Sequence, residues 1–184
     1  VLDPLNKPTL VYSIQPDYPS ATIYSEDHLD QSANAKYRSV AIDLDNIGWY
    51  EKVIIVDLQT GTKLPAEITG AGGHEMSQSG DWFFMKDGYD MRFYKTSDLA
   101  QGITSNSVFN DCKSTYNHYS WAYDSNGDEV VVYIDNGDDY MYSFNPKTQE
   151  KIKIADFRDF GMDWCLSYHI ARMYNPEKKG WFLM

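Results

Sequence analysis

The segment from residue 118 to residue 157 decides the fold, and it reads HYSWAYDSNGDEVVVYIDNGDDYMYSFNPKTQEKIKIADF. Three turn clusters, at 124–127, 135–138 and 145–148, divide it into four short runs rich in β-branched and aromatic residues. The first two clusters contain Asn-Gly, which supplies the positive-φ residues that two-residue hairpin loops need. The segment therefore predicts a four-stranded meander with strands at 118–123, 129–134, 140–144 and 150–155.

The same unit recurs along the chain. Units begin at His28, His74, His118 and His169, which gives spacings of 46, 44 and 51 residues. A period of about 45 residues with four strands in each unit is typical of a β-propeller blade. The chain is therefore predicted to be all-β, a β-propeller of four-stranded antiparallel blades at 28–68, 74–110, 118–157 and, in part, 169–184.

The two ends of the chain predict an incomplete ring. Residues 1–27 contain four prolines, which exclude a central strand, so this N-terminal segment is expected to lead into the propeller with edge strands at most. The repeats then give about three and a half blades, whereas propellers close with roughly 4–8. We therefore expect a fragment of a longer protein, or a ring that another chain completes.

The composition narrows the class of partner and the location. The net charge is −11 and the pI is near 4.6, so the protein repels phosphate backbones and nucleic acid is not an expected partner. Apolar runs are much shorter than the roughly 20 residues of a membrane-spanning helix. The composition suits an extracellular or periplasmic protein. Cys112 and Cys165 lack metal-type spacing, and both a disulfide and two buried thiols stay open.

The histidines are the most specific candidate site. All four of them open a repeat unit, and the first strand of a propeller blade lines the central channel. His28, His74, His118 and His169 are therefore predicted to form an arc at the channel mouth, where converging imidazole nitrogens could bind a divalent metal (Mn, Zn or Fe). The alternative is structural, because WD-type repeats begin with a Gly-His pair whose histidine is buried in a hydrogen-bond network, and Gly73-His74 resembles that pair.

A family resemblance follows from these motifs. A histidine followed by Ser-x-Gly-Asp and an apolar run, together with Val-Asp-Leu-x-Thr-Gly, resembles the TolB-type and WD40-like propellers. Among these, the repeat pattern over 28–184 is similar to the oligogalacturonate lyase group of polysaccharide lyases, in which channel histidines and a glutamine hold a divalent metal. The resemblance implies a carbohydrate ligand, with His118 and His169, joined by His74, as metal ligands.

The resemblance also implies a β-elimination. The metal and an arginine would neutralise the uronate carboxylate, a base would remove the acidified proton beside it, and the glycosidic oxygen would leave. Arg172, three residues after His169, is the nearest cation, and Tyr168 is the second catalytic candidate. Tyr119 and Arg92 are the substrate-binding candidates.

Other features receive simpler interpretations. Tyr123, Trp82 and Trp181 are expected to pack between blades. The acidic segments 124–129 and 135–139 lack the spacing of a calcium-binding EF loop and are interpreted as hairpin turns. The alternative function is a noncatalytic propeller for protein interaction or surface assembly, with structural histidines.

Overall fold

A computed structural model describes residues 10–23, 32, 36–45, 52–70, 72–87, 90–111, 119–135, 140–156, 159, 172–175 and 180–183. Within these ranges the chain forms three four-stranded antiparallel sheets, a two-stranded hairpin and one helical turn. The predicted all-β class and the four-stranded antiparallel units are confirmed. None of the described helical residues forms a helix long and apolar enough to cross a membrane.

The strands of each sheet follow one another in chain order. The first sheet contains β1 (Thr22–Ile23), β2 (Tyr37–Asp43), β3 (Lys52–Asp57) and β4 (Thr62–Thr69). The second contains β5 (His74–Met76), β6 (Trp82–Asp87), β7 (Asp90–Lys95) and β8 (Val108–Asp111), with the helical turn α1 (Thr96–Leu99) after β7. The third contains β9 (Tyr119–Tyr123), β10 (Glu129–Asp135), β11 (Tyr140–Asn145) and β12 (Glu150–Asp156), and the hairpin pairs β13 (Arg172–Asn175) with β14 (Gly180–Leu183).

The first strand of the first sheet comes from the N-terminal segment. Thr22 pairs with Asp43 and Ile23 with Ile42, so β1 lies at one edge of its sheet, as the prolines predict. The run predicted to begin at His28 lies outside the described residues. In the third sheet, each observed strand begins and ends within one residue of its predicted limits.

A common turn closes the first and third sheets. The Asp57 carboxylate accepts hydrogen bonds from the backbone N–H groups two and three residues later, at 2.8 and 3.1 Å. The Asn145 side-chain oxygen does the same at 2.9 and 3.2 Å. Gly61 and Gln149 then occupy the same left-handed position, with φ of 69° and 61°. The sequence repeat is therefore also a repeat of local geometry.

The second sheet is buried on both faces because side chains alternate along β6. Phe83 and Met85 pack against the first sheet, whereas Phe84 packs against the third. Trp121 of β9 is fully buried in that second contact, and its indole N–H donates to the Glu75 carbonyl at 3.3 Å. The sheets thus stack in the order of the chain.

Residues 10–21 cover the other face of the first sheet. Ile14 packs there among the buried side chains of β2 and β3. The Tyr18 hydroxyl donates to the Glu67 carboxylate, which also accepts hydrogen bonds from Lys52 and, at 2.7 Å, from Lys63. Partial burial acts to raise the pKa of Glu67, but these three hydrogen bonds outweigh it and lower the pKa to about 2.

Glu67→Gln tests this anchor. The folded pKa of about 2 lies below the ordinary 4.5, so the charged network stabilises the fold fully above pH 4.5 and this contribution is lost as the pH falls towards 2. We expect the variant to lose about 1–2 kcal/mol at pH 7, because the side chain is partly exposed. Urea unfolding measures the loss of unfolding free energy at pH 7, where the full loss is expected, and at pH 3, where it should be smaller. Glu150→Gln at an exposed site is the control. An equal loss at the two pH values would contradict the assignment.

Candidate functional site

His74 is the one histidine that lies within the described residues. It begins β5 and is only 1% exposed, and its ring centroid lies 6.1 Å from that of Phe83. Because His74 pairs with Met85, its side chain shares the face of the second sheet that packs against the first. This burial between two sheets favours the structural alternative for His74.

The predicted metal site rests on residues beyond those described. His28, His118 and His169 all lie outside the described ranges. Within those ranges, no three His, Cys, Asp or Glu side chains form a group that could hold a metal ion. The histidine arc stays a prediction.

Tyr119 lies close to the histidine position. Its ring meets Phe84 edge to face, with centroids 4.5 Å apart. Its hydroxyl lies so close to the backbone of Gly73 that a side chain at position 73 would overlap it. The structure therefore brings Tyr119 to the start of β5, beside the residue that precedes His74.

Arg92 lies farther away. The register pairs His74 with Met85 and Met85 with Arg92, so two strand spacings, or about 10 Å, separate the backbones of His74 and Arg92. The Arg92 guanidinium instead stacks 4.3 Å over the ring of Phe109 on β8. This contact places Arg92 at the outer strands of the sheet.

The side chains of the two catalytic candidates, Arg172 and Tyr168, lie outside the described part of the structure. The backbone of Arg172 begins β13 opposite Leu183, and Tyr168 lies outside the described residues. Their predicted roles stay predictions.

The second and third sheets are tied together at the other end of β5. The backbone N–H and the hydroxyl of Ser79, in the turn between β5 and β6, both donate to the Glu129 carboxylate at 2.7 Å. Glu129 begins β10, so the β5–β6 and β9–β10 turns lie side by side.

A cleft of about 350 Å³ opens between these turns, and we call it the Trp82 cleft. Its aromatic walls are Trp82, which is partly buried, and Tyr123, which is 39% exposed. Its polar lining comes from Ser79, Asp81, Asp128, Glu129 and Lys147. A second cavity of about 320 Å³ shares Asp81, Trp82 and Lys147 and adds Lys95 and Ser97, and the name Trp82 cleft covers both adjoining cavities.

The same local sequence places a carboxylate on each side of the cleft. Gly80 and Gly127 both have a φ of 81°, and each is followed by an aspartate that leads into the next strand. Glycine adopts this left-handed conformation without a steric penalty. Asp81 and Asp128 therefore occupy equivalent positions in the two turns.

The acidic segment at 124–129 is a hairpin turn, as interpreted from the sequence. The Asp124 carboxylate accepts the backbone N–H groups of Asn126 and Asp128 at 2.8 and 2.9 Å. The Asp124 carboxylate therefore stabilises the turn between β9 and β10.

Two lysines balance part of the acidic charge. The Lys147 ammonium donates to Asp128 at 2.8 Å, and this hydrogen bond raises the pKa of Lys147. The Lys95 ammonium lies 5.7 Å from the centroid of the Trp82 ring. Both cations lie beside Trp82, so the cleft combines an aromatic surface with charges of both signs.

The Trp82 cleft is not at the histidine end of the sheet. His74 pairs with Met85, which lies three residues, or about 10 Å, along β6 from Trp82. From the sequence, Trp82 and Tyr123 are expected to pack between blades. Trp82 does pack partly against the buried cluster of the second and third sheets, but both rings also line the cleft. The repeated Gly-Asp before β6 and β10 is a sequence signal from which this end of the sheet could have been identified.

Compared with models of protein families and with curated proteins, the chain shows no significant match.

Proposed function

We propose that the protein is a carbohydrate-binding protein of β-propeller architecture and that its ligand occupies the Trp82 cleft. The observation that carries this proposal is the combination of two aromatic rings and three carboxylates in one open cleft.

The propeller architecture accounts for how the sheets follow one another. Each of the three sheets has its strands in sequential antiparallel order. One buried cluster joins the first sheet to the second, and another joins the second to the third. Consecutive meanders packed face to face are what neighbouring propeller blades require. The recurring turns at Asp57 and Asn145 give two of these units the same outer hairpin.

The cleft has the two kinds of surface that a sugar needs. The C–H groups of a sugar ring carry partial positive charge and pack on the electron-rich face of an aromatic ring such as Trp82. Sugar hydroxyls donate to carboxylates such as Asp81 and Asp128, and hydrogen bonds to a charged acceptor are stronger than those between neutral groups. Glu129 already accepts two hydrogen bonds from Ser79, so it stabilises the wall of the cleft.

The described residues of the cleft are sufficient for carbohydrate binding, and none of them is required to react. The lyase activity implied by the family resemblance depends on His118, His169, Arg172 and Tyr168, whose side chains lie outside the described part of the structure. The buried position of His74 also agrees with the alternative of a noncatalytic propeller with structural histidines. Metal-dependent elimination is therefore a separate hypothesis, to be tested by the appearance of unsaturated products from pectic oligosaccharides.

Trp82→Ala and Tyr123→Ala test the proposal. We expect the unmodified protein to bind one or more oligosaccharides of a neutral and acidic glycan panel in isothermal titration calorimetry. Trp82→Ala should weaken that binding about 10- to 100-fold, which corresponds to about 1.4–2.8 kcal/mol, because the sugar loses its stacking surface. Tyr123→Ala should weaken it less, because its ring lies at the exposed rim.

Phe109→Ala provides the matched control. Phe109 is a 47% exposed aromatic residue on β8 of the same sheet as Trp82, but it does not line the cleft. Circular dichroism and thermal unfolding would show that each variant keeps its fold. Equal affinity of Trp82→Ala, Tyr123→Ala and Phe109→Ala would place the carbohydrate elsewhere and overturn the proposal.

A further inference from the structure

We infer that the Trp82 cleft binds neutral oligosaccharides across two adjoining subsites and discriminates against polyuronates. This inference rests on the proposed function and specifies its ligand class. It reverses the uronate preference that the family resemblance implies.

The two subsites follow from the shape of the cleft. Its two cavities, of about 350 and 320 Å³, share Asp81, Trp82 and Lys147 as a common border. Each volume is at the lower end of the roughly 300–1,000 Å³ of small-ligand sites. Because Trp82 lines both cavities, one indole ring can contact two consecutive sugars of a ligand that fills both. A single sugar uses only half of the available surface.

The cleft also has an open end. Gly127 lines the larger cavity, and a Cβ atom added there would meet no atom within 4 Å. The smaller cavity is also lined by the exposed Lys95, the last residue of β7, and by the exposed Ser97 of α1. A chain bound across Trp82 can therefore continue beyond the larger cavity into solvent, as an oligosaccharide requires.

The charge of the larger cavity disfavours uronates. Asp81, Asp128 and Glu129 face a single lysine, Lys147, which is already hydrogen-bonded to Asp128. A uronate carboxylate placed there meets like charges at short range, and the net charge of −11 adds a weaker repulsion that salt screens. Neutral sugar hydroxyls instead donate to these carboxylates. The larger cavity therefore binds a neutral sugar and repels an acidic one. The smaller cavity has Lys95 and Lys147 beside Asp81, so the discrimination against polyuronates comes from the larger cavity alone.

Calorimetric titration with defined saccharides tests both parts. The neutral probes are glucose, cellobiose and cellotetraose, with the xylose and mannose series of the same lengths, and the acidic probe is tetragalacturonate. We expect the affinity for the preferred neutral series to rise about tenfold or more from monosaccharide to disaccharide, because the second subsite is then filled. At 20 mM salt, the dissociation constant for tetragalacturonate should be at least about tenfold higher than that for the preferred neutral tetrasaccharide. This ratio should be smaller at 150 mM salt, because salt screens the repulsion.

Asp81→Asn separates local charge from net charge. We expect it to reduce the discrimination against tetragalacturonate, whereas Asp45→Asn, which changes the net charge equally at an exposed position after β2, should leave it unchanged. Equal affinities for monosaccharide and tetrasaccharide, or tighter binding of tetragalacturonate, would overturn this inference while the proposed function stands, provided that Trp82→Ala still weakens the binding at least tenfold. No binding of any neutral or acidic probe would overturn both.

Discussion

Trp121→Ala is expected to lower the free energy of unfolding by about 3–5 kcal/mol, the usual range for removing a large aromatic side chain from a core. Trp121 is fully buried between the second and third sheets, where its ring lies 5.9 Å from Phe84 and 6.1 Å from Phe93. The alanine variant leaves a cavity and removes the indole N–H that donates to the Glu75 carbonyl. Because domains are typically stable by only about 5–15 kcal/mol, this loss is a large fraction of the total.

Equilibrium unfolding in urea, followed by near-ultraviolet circular dichroism, measures this loss. Trp121→Phe is the matched variant, because it keeps an aromatic ring and removes the indole hydrogen bond, and we expect it to cost about 1–2 kcal/mol. Tyr123→Ala, at an exposed position on the same strand, should cost much less than Trp121→Ala. A loss below about 1 kcal/mol for Trp121→Ala would show that the second and third sheets do not pack through this residue.

Glu129→Ala is expected to lower the stability by about 2–3 kcal/mol and to weaken carbohydrate binding in the Trp82 cleft. The Glu129 carboxylate accepts two hydrogen bonds from Ser79, and at this partly exposed position each contributes about 1–1.5 kcal/mol. Without them the β5–β6 turn is no longer fixed to β10. Because these two turns form the walls of the cleft, stability and affinity should fall together.

A double-mutant cycle with Ser79→Ala isolates one of the two bonds. Ser79→Ala removes the hydroxyl donor but keeps the backbone N–H donor, so we expect a coupling energy of about 1 kcal/mol between positions 79 and 129. Glu150→Ala, at an exposed position in the third sheet, serves as the control for the loss of a carboxylate. If the effects of Ser79→Ala and Glu129→Ala add within about 0.3 kcal/mol, the hydrogen bond between the Ser79 hydroxyl and Glu129 does not stabilise the contact between the two turns.

The strands of the third sheet were predictable because their limits are set by local chemistry. Asn-Gly and Asn-Pro turns separate runs of alternating or β-branched residues, and neither signal depends on distant parts of the chain. The turn at Asp57 was predictable for the same reason, since the carboxylate bonds to the backbone two and three residues later. The histidine position was also visible as a repeat, but its environment was not.

The histidine site was predicted at the opposite end of the sheet from the Trp82 cleft, and three of its four histidines lie outside the described residues. The four histidines predicted a site at the start of the first strand in each unit. The Trp82 cleft instead lies at the turn that follows that strand. Trp82 and Tyr123 were expected to pack between blades, because an aromatic residue at the end of a strand is compatible with either role until its neighbours are known. Their exposure depends on how the second and third sheets approach each other at Ser79 and Glu129, which are 50 residues apart.

The sequence by itself determined the β class, the repeat of about 45 residues, the four-stranded units and the chemistry of their turns. These features follow from hydrophobic alternation and from backbone preferences over a few residues, so they depend only on residues that are close together in the sequence. The tertiary structure alone decided that His74 is enclosed between two sheets and that Trp82, Asp81 and Asp128 share one cleft. Burial and proximity depend on which faces of distant strands meet, and that contact is a property of the packed chain as a whole.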